Sequence, residues 1–215
     1  MKHYVITIMD NKKSVSAADR CIRSGSSVGG VDIEKWTATT PRDDLDKIIA
    51  DNKIIMTGFD EVWSRSDNCR AAFLSHFSLW QESVRLNQEV TIFEHDAVCI
   101  NNVNSTYAYS GALSLGAPSY GKFNTPTSLG VVPLQSKPYF PGAHAYRVKP
   151  RAAQMLIDHC RLVGAKPTDV FLDIRTFSFL QEYYPWPVEA KDTFTTIQNE
   201  NGIKAKHNKV EIIEA

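Results

Sequence analysis

The chain has 215 residues, of which 43% are hydrophobic and 22% are charged, and its formal net charge is zero. This composition is typical of a globular protein with a buried core, and it excludes a disordered or collagen-like chain. A net charge of zero gives no general attraction to nucleic acid or to anionic membranes, although it is compatible with a local basic groove. The length predicts a single domain over residues 1–215.

The cysteines are spaced too widely for a zinc or redox motif, which would need pairs two or three residues apart. They are Cys21, Cys69, Cys99 and Cys160, each among apolar neighbours, so we expect buried free thiols. The apolar run at the N-terminus is too short for a signal peptide, and no stretch reaches the ~18 apolar residues of a membrane span. The sequence therefore predicts a cytoplasmic protein with no membrane span.

The first part of the chain predicts strands that alternate with helices. A buried strand over residues 3–9 is followed by a helix with Ser14 as its cap. A second strand over residues 31–38 precedes a helix start, with Thr40 as cap and Pro41 at the first helical position. Such alternation indicates an α/β fold with a mostly parallel central sheet flanked by helices.

A long amphipathic helix is predicted from Asp67 or Asn68 to about Asn87, and a strand over residues 89–93 follows it and ends in Glu94-His95-Asp96. If the strand continues through this tripeptide, its two carboxylates share one face. Ligands of open parallel sheets bind at the carboxyl ends of strands, and Mg²⁺ and Mn²⁺ prefer oxygen ligands. The pattern indicates either a metal-nucleotide site or a solvated strand end that carries carboxylates by chance, and the spacing supports both equally.

Residues 101–142 are rich in Ser, Gly, Pro, Tyr and Asn, which predicts a long loop of the kind that forms lids or binding segments. Short strands are predicted over residues 130–134 and 143–148, and a helix begins at Pro150. The proline-rich sequence from residue 185 predicts the end of regular structure. The tail over residues 185–215 is polar and is expected to wrap around the domain.

Thr168 is predicted to cap a further helix. Asp169 falls in its first turn and Asp173 lies one turn later on the same side. Both carboxylates would then face a cleft.

Five segments, in order over residues 3–175, resemble glycosyltransferase family 25, the lipopolysaccharide and collagen-type sugar transferases. The segment NCRAAFLSHFSLW, residues 68–80, followed by FEHDA, residues 93–97, resembles the family's "SH" helix and acidic motif. The family's opening strand is similar to YVITI at residues 4–8, and two later segments resemble GAHAYRV at 142–148 and PTDVFL at 167–172. The sequence EHDA after LSHFSLW is similar to members carried by tailed bacteriophages of the cyanophage type.

The resemblance implies a GT-A fold, a nucleotide-sugar donor (a UDP-sugar is the first expectation) and Mn²⁺ or Mg²⁺ as cofactor. By position, Asp96 is the metal ligand, with support from Glu94 and a late ligand at His207. The family usually has a second acid where this chain has His95, so a neutral imidazole here removes one negative charge from the site.

The same resemblance implies further donor-binding positions at the ends of the first two strands and on the "SH" helix. They are Thr7, Ile8, Asp10, Thr37, Ala38, Ser75 and His76, together with Glu94 and His95. For the strand ends, simple strand termination is the alternative, and a lone helical histidine is commonly structural.

Transfer with inversion needs a carboxylate to remove the acceptor's proton, and Asp169 is the first candidate for this base. Its alternative role is a helix N-terminal acid stabilised by the helix dipole. Asp173 is the second candidate for the base. His144 and Tyr146 are candidates for acceptor binding.

We therefore predict transfer of a sugar to a glycan or protein hydroxyl. A modified DNA base is an alternative acceptor, for which the lysines at residues 204, 206 and 209 offer phosphate contacts. The change at His95 would also allow a non-catalytic binding or virion protein. A metal-dependent phosphoesterase or nucleotidyltransferase could use the same carboxylates. The sequence gives no indication of oligomeric state.

Overall fold

The structure is a computed structural model that describes residues 1–60, 64–105, 107–141, 143–191 and 196–197. The strands are β1 (Lys2–Thr7), β2 (Glu34–Thr37), β3 (Val90–Glu94), β4 (Ala97–Cys99), β5 (Ala112–Ser114), β6 (Gly130–Pro133), β7 (Ala145–Val148), β8 (Leu180–Tyr184) and β9 (Val188–Ala190). The helices are α1 (Lys12–Ser24), α2 (Leu45–Asn52), α3 (Ser66–Leu86), α4 (Pro150–Leu162) and α5 (Thr168–Phe171).

The central sheet has seven of these strands in the order β2-β1-β3-β7-β5-β8-β6. β1 pairs in parallel with both β2 and β3, and β5 pairs in parallel with β8. β7 and β6 run against their neighbours. The predicted α/β fold with a mostly parallel sheet is confirmed, and the carboxyl ends of β1, β2 and β3 meet at one edge.

Successive strand residues point to opposite faces of the sheet. Helices cover both faces. Tyr4 and Ile6 belong to the core beneath α3 and α4, whereas Val5 belongs to the core beneath α1 and β4. Phe73 and Trp80 of α3 are fully buried and pack edge to face. The thiols of all four cysteines are buried and free, as predicted.

The start of α1 lies before the predicted cap. The side chain of Asn11 accepts hydrogen bonds from the backbone N–H groups of Lys13 and Ser14, so Asn11 is the N-cap. Ser14 instead accepts the N–H of Ile8 through its Oγ at 2.9 Å, which ties the helix to the end of β1. A π-helical turn over Gly25–Gly29 then extends the helical segment.

The prediction that a helix begins at Thr40 and Pro41 is wrong. The Asp43 carboxylate accepts the backbone N–H of Thr40 at 2.7 Å, which closes a turn there. Helix α2 begins only after Asp44, whose carboxylate accepts the N–H of Lys47. α3 begins slightly earlier than predicted, with Arg65 at the N-cap position.

Four short strands are absent from the sequence prediction, and the first of them is β4, which follows the turn after β3 and pairs with β9. β5 interrupts the long loop and lies between β7 and β8 in the sheet. β8 follows α5, and β9 follows Pro185-Trp186-Pro187, where we predicted that regular structure ends. Strands of three residues such as β5 and β9 show no usable periodicity, and cross-strand pairing stabilises them instead.

Gly116, just after β5, leaves the space that His144 fills. A Cβ atom at residue 116 would lie 2.4 Å from Nε2 of His144. Gly116→Ala should therefore destabilise the fold by about 1–3 kcal/mol, and it should cost less in a His144→Ala background. Urea denaturation of the two single variants and the double variant measures this coupling. An equal cost in both backgrounds would contradict the packing described.

Candidate functional site

A cavity of about 760 Å³ lies at the carboxyl ends of β1, β2 and β3, beside the first half of α3. Its lining comes from the segments 10–13, 38–42 and 94–96, from one face of α3, and from residues 196 and 197. The backbone of the 196–197 segment is held against the start of α3, because Arg65 donates its N–H to the Ile197 carbonyl at 2.9 Å. Asn68 donates its side-chain N–H to the Thr196 carbonyl at 2.8 Å.

One side of the cavity is cationic. Lys12 and Lys13 line it from the first turn of α1, and Arg42 and Arg65 line it from the loops before α2 and α3. Arg42 also forms an ion pair with Asp10, which fixes the loop after β2 to the loop after β1. Cations beside a helix N-terminus form a favourable environment for phosphate groups.

The acidic tripeptide faces the same cavity, but it is not a continuous strand. β3 ends at Glu94, and His95 and Asp96 form a turn before β4. The expectation that Glu94 and Asp96 share a strand face is therefore wrong. Nδ1 of His95 lies 2.9 Å from Oγ of Ser14, so this ring joins the turn to α1.

A chain of hydrogen bonds with one direction fixes Glu94. The indole of Trp80 can only donate, so its Nε1–H donates to the Tyr146 hydroxyl at 2.9 Å. The Tyr146 hydroxyl then has its own hydrogen for Nδ1 of His76, at 3.0 Å. In the tautomer assigned from these partners, His76 carries its hydrogen on Nε2 and donates it to Oε1 of Glu94 at 3.2 Å.

Burial determines the charge states in this chain. The pKa of His76 is lowered to about 3 by burial, with Asp169 acting in the opposite direction, so the imidazole is neutral at pH 7. Burial raises the pKa of Glu94 to about 7, His95 lowers it, and the charge of Asp169 raises it. Glu94 therefore exchanges its proton near neutral pH.

Most predicted donor-binding residues line the cavity, namely Ile8, Asp10, Ala38, Ser75, His76, Glu94 and His95, and so does the predicted metal ligand Asp96. Ser75 accepts the Thr39 N–H at 2.9 Å through its Oγ and thereby holds the loop after β2 on α3. Two of the predicted donor-binding residues do not line the cavity. Thr7 is buried and donates its hydroxyl to the Val5 carbonyl, and Thr37 is exposed on β2 outside the cavity.

The predicted acceptor residues are both buried. Tyr146 has no exposed surface and its hydroxyl has two partners in the hydrogen-bond chain, so direct contact with an acceptor does not fit its position. His144 is 2% exposed and packs over Gly116. The pKa of His144 is lowered, because burial outweighs the opposing effect of the nearby Asp96 charge. His144 therefore lies beneath the acidic turn.

The two candidate bases have different surroundings. Asp169 accepts a hydrogen bond from the Tyr120 hydroxyl, and its charge acts on both His76 and Glu94. Asp173 is bound by Arg175, whose Nε donates at 3.0 Å, and this pair lowers the pKa of Asp173. The predicted cap and spacing are wrong, because Pro167 is the N-cap of α5 and the helix ends at Phe171, before Asp173. His207 lies outside the described residues.

The cationic side of the cavity was missing from the sequence prediction. Lys12, Lys13, Arg42 and Arg65 come from separate segments with no spacing motif. Basic residues directly after strand ends were the available signal, because such segments meet at one sheet edge.

Within the described part of the chain, no group of three or more His, Cys, Asp or Glu side chains is placed to hold a metal ion. Glu94 and Asp96 still line the cavity together. Mg²⁺ commonly binds through one or two carboxylates, with phosphate oxygens and waters as its other ligands. Glu94 and Asp96 thus fit a cation that enters with a nucleotide.

No family model and no curated protein matches this chain. Among solved structures, it is similar to the glycosyltransferase GlyE of Streptococcus pneumoniae TIGR4, with a TM-score of 0.44 and 8% sequence identity. The match covers 85% of this chain and 45% of that chain, so this chain spans less than half of that protein's length. Similarity this low carries no functional inference, and the function proposed below rests on the cavity.

None of the helices in the described segments combines the length and apolar character that a bilayer crossing requires.

The raised pKa of Glu94 predicts a pH-dependent stability. The folded protein keeps this proton up to about pH 7, whereas the ordinary value is 4.5. The wild-type protein therefore loses folding stability as the pH rises from 4.5 to about 7. Glu94→Gln has no proton to lose in this range, so its stability does not fall for this reason. Because the side chain remains 28% exposed, we expect E94Q to gain only about 1–2 kcal/mol over wild type between pH 5 and pH 8.

Urea denaturation across this pH range measures the difference, with Glu34→Gln as the control that removes a carboxylate from an exposed site. A difference between E94Q and wild type that stays constant with pH would contradict the burial of Glu94.

The hydrogen-bond chain predicts a cost for removing its central hydroxyl. Tyr146→Phe leaves the Trp80 N–H and Nδ1 of His76 unsatisfied in a buried region, which should destabilise the fold by about 1–3 kcal/mol. Tyr184→Phe removes the same atom from a half-buried tyrosine and serves as the control. Thermal and chemical denaturation provide the measurement, and equal effects of the two substitutions would refute the chain.

Proposed function

We propose that the protein transfers a sugar from a nucleotide-sugar donor to an acceptor hydroxyl, and that the cavity at the ends of β1, β2 and β3 is the donor site. One observation carries this proposal. The cavity lining combines four cationic side chains, one of them paired with Asp10, with the carboxylates of Glu94 and Asp96. Cations and hard oxygen ligands in one cavity suit a diphosphate that is bound together with a divalent cation.

In this proposal, Lys12 and Lys13 contact the diphosphate from the N-terminus of α1, and Arg42 contacts it from the loop after β2. Asp96 binds Mn²⁺ or Mg²⁺, with Glu94 beside it, and the bound cation would stabilise the charge on the departing diphosphate. The cavity volume of about 760 Å³ is large enough for a UDP-sugar, which is the first donor to test.

Asp169 is the proposed general base of an inverting transfer. Its charge acts on Glu94 and His76, and its helix α5 packs against α3 through Phe171 and Phe73. The Tyr120 hydroxyl donates to its carboxylate and orients it. Asp173 is less suited to this role, because Arg175 already neutralises it.

A nucleotide-binding protein without transferase activity is the second candidate. The pKa of Glu94 near 7 favours it, because the neutral form of this carboxyl leaves Asp96 as the main charge available for a cation. The two functions give different results once donor binding and donor turnover are measured separately.

The test is titration calorimetry with a panel of UDP-sugars in the presence of Mn²⁺, followed by assays of donor hydrolysis. We expect wild type to bind and slowly hydrolyse at least one donor. Asp96→Asn should weaken cation-dependent binding by at least about tenfold, because it removes a charged ligand. Asp158→Asn, which changes the same group on the exposed surface of α4, should behave as wild type.

Binding without turnover, with or without acceptors, would support the non-catalytic candidate. Absence of binding to every nucleotide sugar would overturn both candidates. Donor binding that does not depend on the cation and is unaffected in D96N would remove the role of Asp96.

A further inference from the structure

A second cavity, of about 780 Å³, is lined by residues 121–124 and 134–138 and by Ile174. Two of its lining residues are cations, Lys122 and Lys137, and none of them carries a carboxylate. Amide and hydroxyl groups of Asn124, Gln135 and Ser136 also line it. This lining favours a polar, anionic ligand.

Lys137 is the most unusual residue of this cavity, because it is only 9% exposed. Its Nζ lies 4.3 Å from the ring centroid of Tyr120 and 5.3 Å from that of Tyr139, and it is 3.4 Å from the Tyr139 hydroxyl. Within the described ranges, no carboxylate lies at ion-pair distance from this ammonium. The Lys137 ammonium can donate three hydrogen bonds, and its contacts with two ring faces and one hydroxyl leave donor capacity unused. An anionic ligand can therefore accept hydrogen bonds from it.

The wall that carries Lys137 is fixed in place. The buried Glu182 carboxylate accepts the backbone N–H groups of Gln135 and Ser136 at 2.7 and 2.8 Å. Its other oxygen accepts the indole N–H of Trp186 at 3.1 Å. Asn124 donates its backbone N–H to the Ser136 carbonyl at 3.0 Å, which joins the two lining segments. A ligand therefore meets a preformed surface, which lowers the entropic cost of binding.

Asp169 connects this second cavity to the first. Tyr120, which forms one face of the Lys137 enclosure, donates its hydroxyl to Asp169. The charge of Asp169 in turn acts on Glu94 and His76 of the donor cavity. A ligand beside Lys137 thus lies close to Tyr120, whose hydroxyl donates to the proposed base.

We infer that the second cavity binds the acceptor, and that the acceptor is a sugar bearing a carboxylate or phosphate that Lys137 recognises. This inference rests on the proposed function. Phe123, 39% exposed at the cavity edge, offers a face for the sugar ring, and the amide groups offer hydrogen bonds to its hydroxyls. A nucleic-acid strand fits less well, because its binding draws on many phosphate contacts and this cavity has two cations.

The test compares methyl β-D-glucuronide with methyl β-D-glucoside, which differ only in a carboxylate at C6, by NMR titration of the whole protein without donor. We expect the glucuronide to bind at least about tenfold more tightly, because a charge-assisted hydrogen bond to Lys137 forms only with the carboxylate. Glucose 6-phosphate in the same assay distinguishes phosphate from carboxylate recognition. Lys137→Met should abolish the preference and Lys137→Arg should retain part of it.

Equal affinity for the two glycosides, or a preference that survives in K137M, would overturn the inference. If K137M does not fold, the shifts of the Gly121 and Asn124 amides in wild type decide the question, since glucuronide binding without these shifts contradicts the site. A single-stranded oligonucleotide that displaces the glucuronide from these amides at lower concentration would assign the cavity to nucleic acid instead.

Donor binding is measured separately, so the two proposals fail in different ways. Donor binding without glycoside preference removes only the acceptor site. Glucuronide binding in a protein that binds no nucleotide sugar leaves the sugar site in place, but it overturns its role as an acceptor site together with the proposed function.

Discussion

The directional hydrogen-bond chain from Trp80 through Tyr146 and His76 to Glu94 is the interaction on which the site depends. It joins α3 to β7 and to the end of β3 through three hydrogen bonds. An indole that can only donate fixes the hydroxyl, the hydroxyl fixes the imidazole, and the imidazole holds the carboxyl at the cavity wall. The surrounding core is apolar, so breaking any link leaves a buried polar group unsatisfied. The same burial that gives the chain its rigidity raises the pKa of Glu94 toward neutrality.

The chemistry proposed for the protein follows from how the sheet gathers separate segments. Three parallel strands end at one edge, and the loops after them bring cations and carboxylates to one cavity. Asp169 is coupled to Glu94 and His76 on one side and to Tyr120 on the other.

The long periodic elements were predictable from sequence, and the site was predictable only in part. The strand that ends at Glu94 and the helix α3 carry strong apolar patterns, so their place in an α/β fold followed directly. The strands β5 and β9 could not be predicted in this way, because three-residue strands depend on partners elsewhere in the chain. The turn at His95 was missed because alternation alone does not show where a strand stops. The cationic side was missed because its residues meet only after the sheet has formed, and Tyr146 was assigned to ligand contact because sequence does not reveal that its hydroxyl is fully used inside the core.

The central claim is that the cavity beside the acidic turn holds a nucleotide diphosphate together with a divalent cation. A crystal structure of the protein with UDP and Mn²⁺, with anomalous scattering recorded for the manganese, tests it most directly. The account predicts a manganese peak within about 2.5 Å of an Asp96 carboxylate oxygen, with the diphosphate between the metal and the side chains of Lys12, Lys13 and Arg42. Manganese at a site that excludes Asp96, or a nucleotide bound outside this cavity, would contradict it.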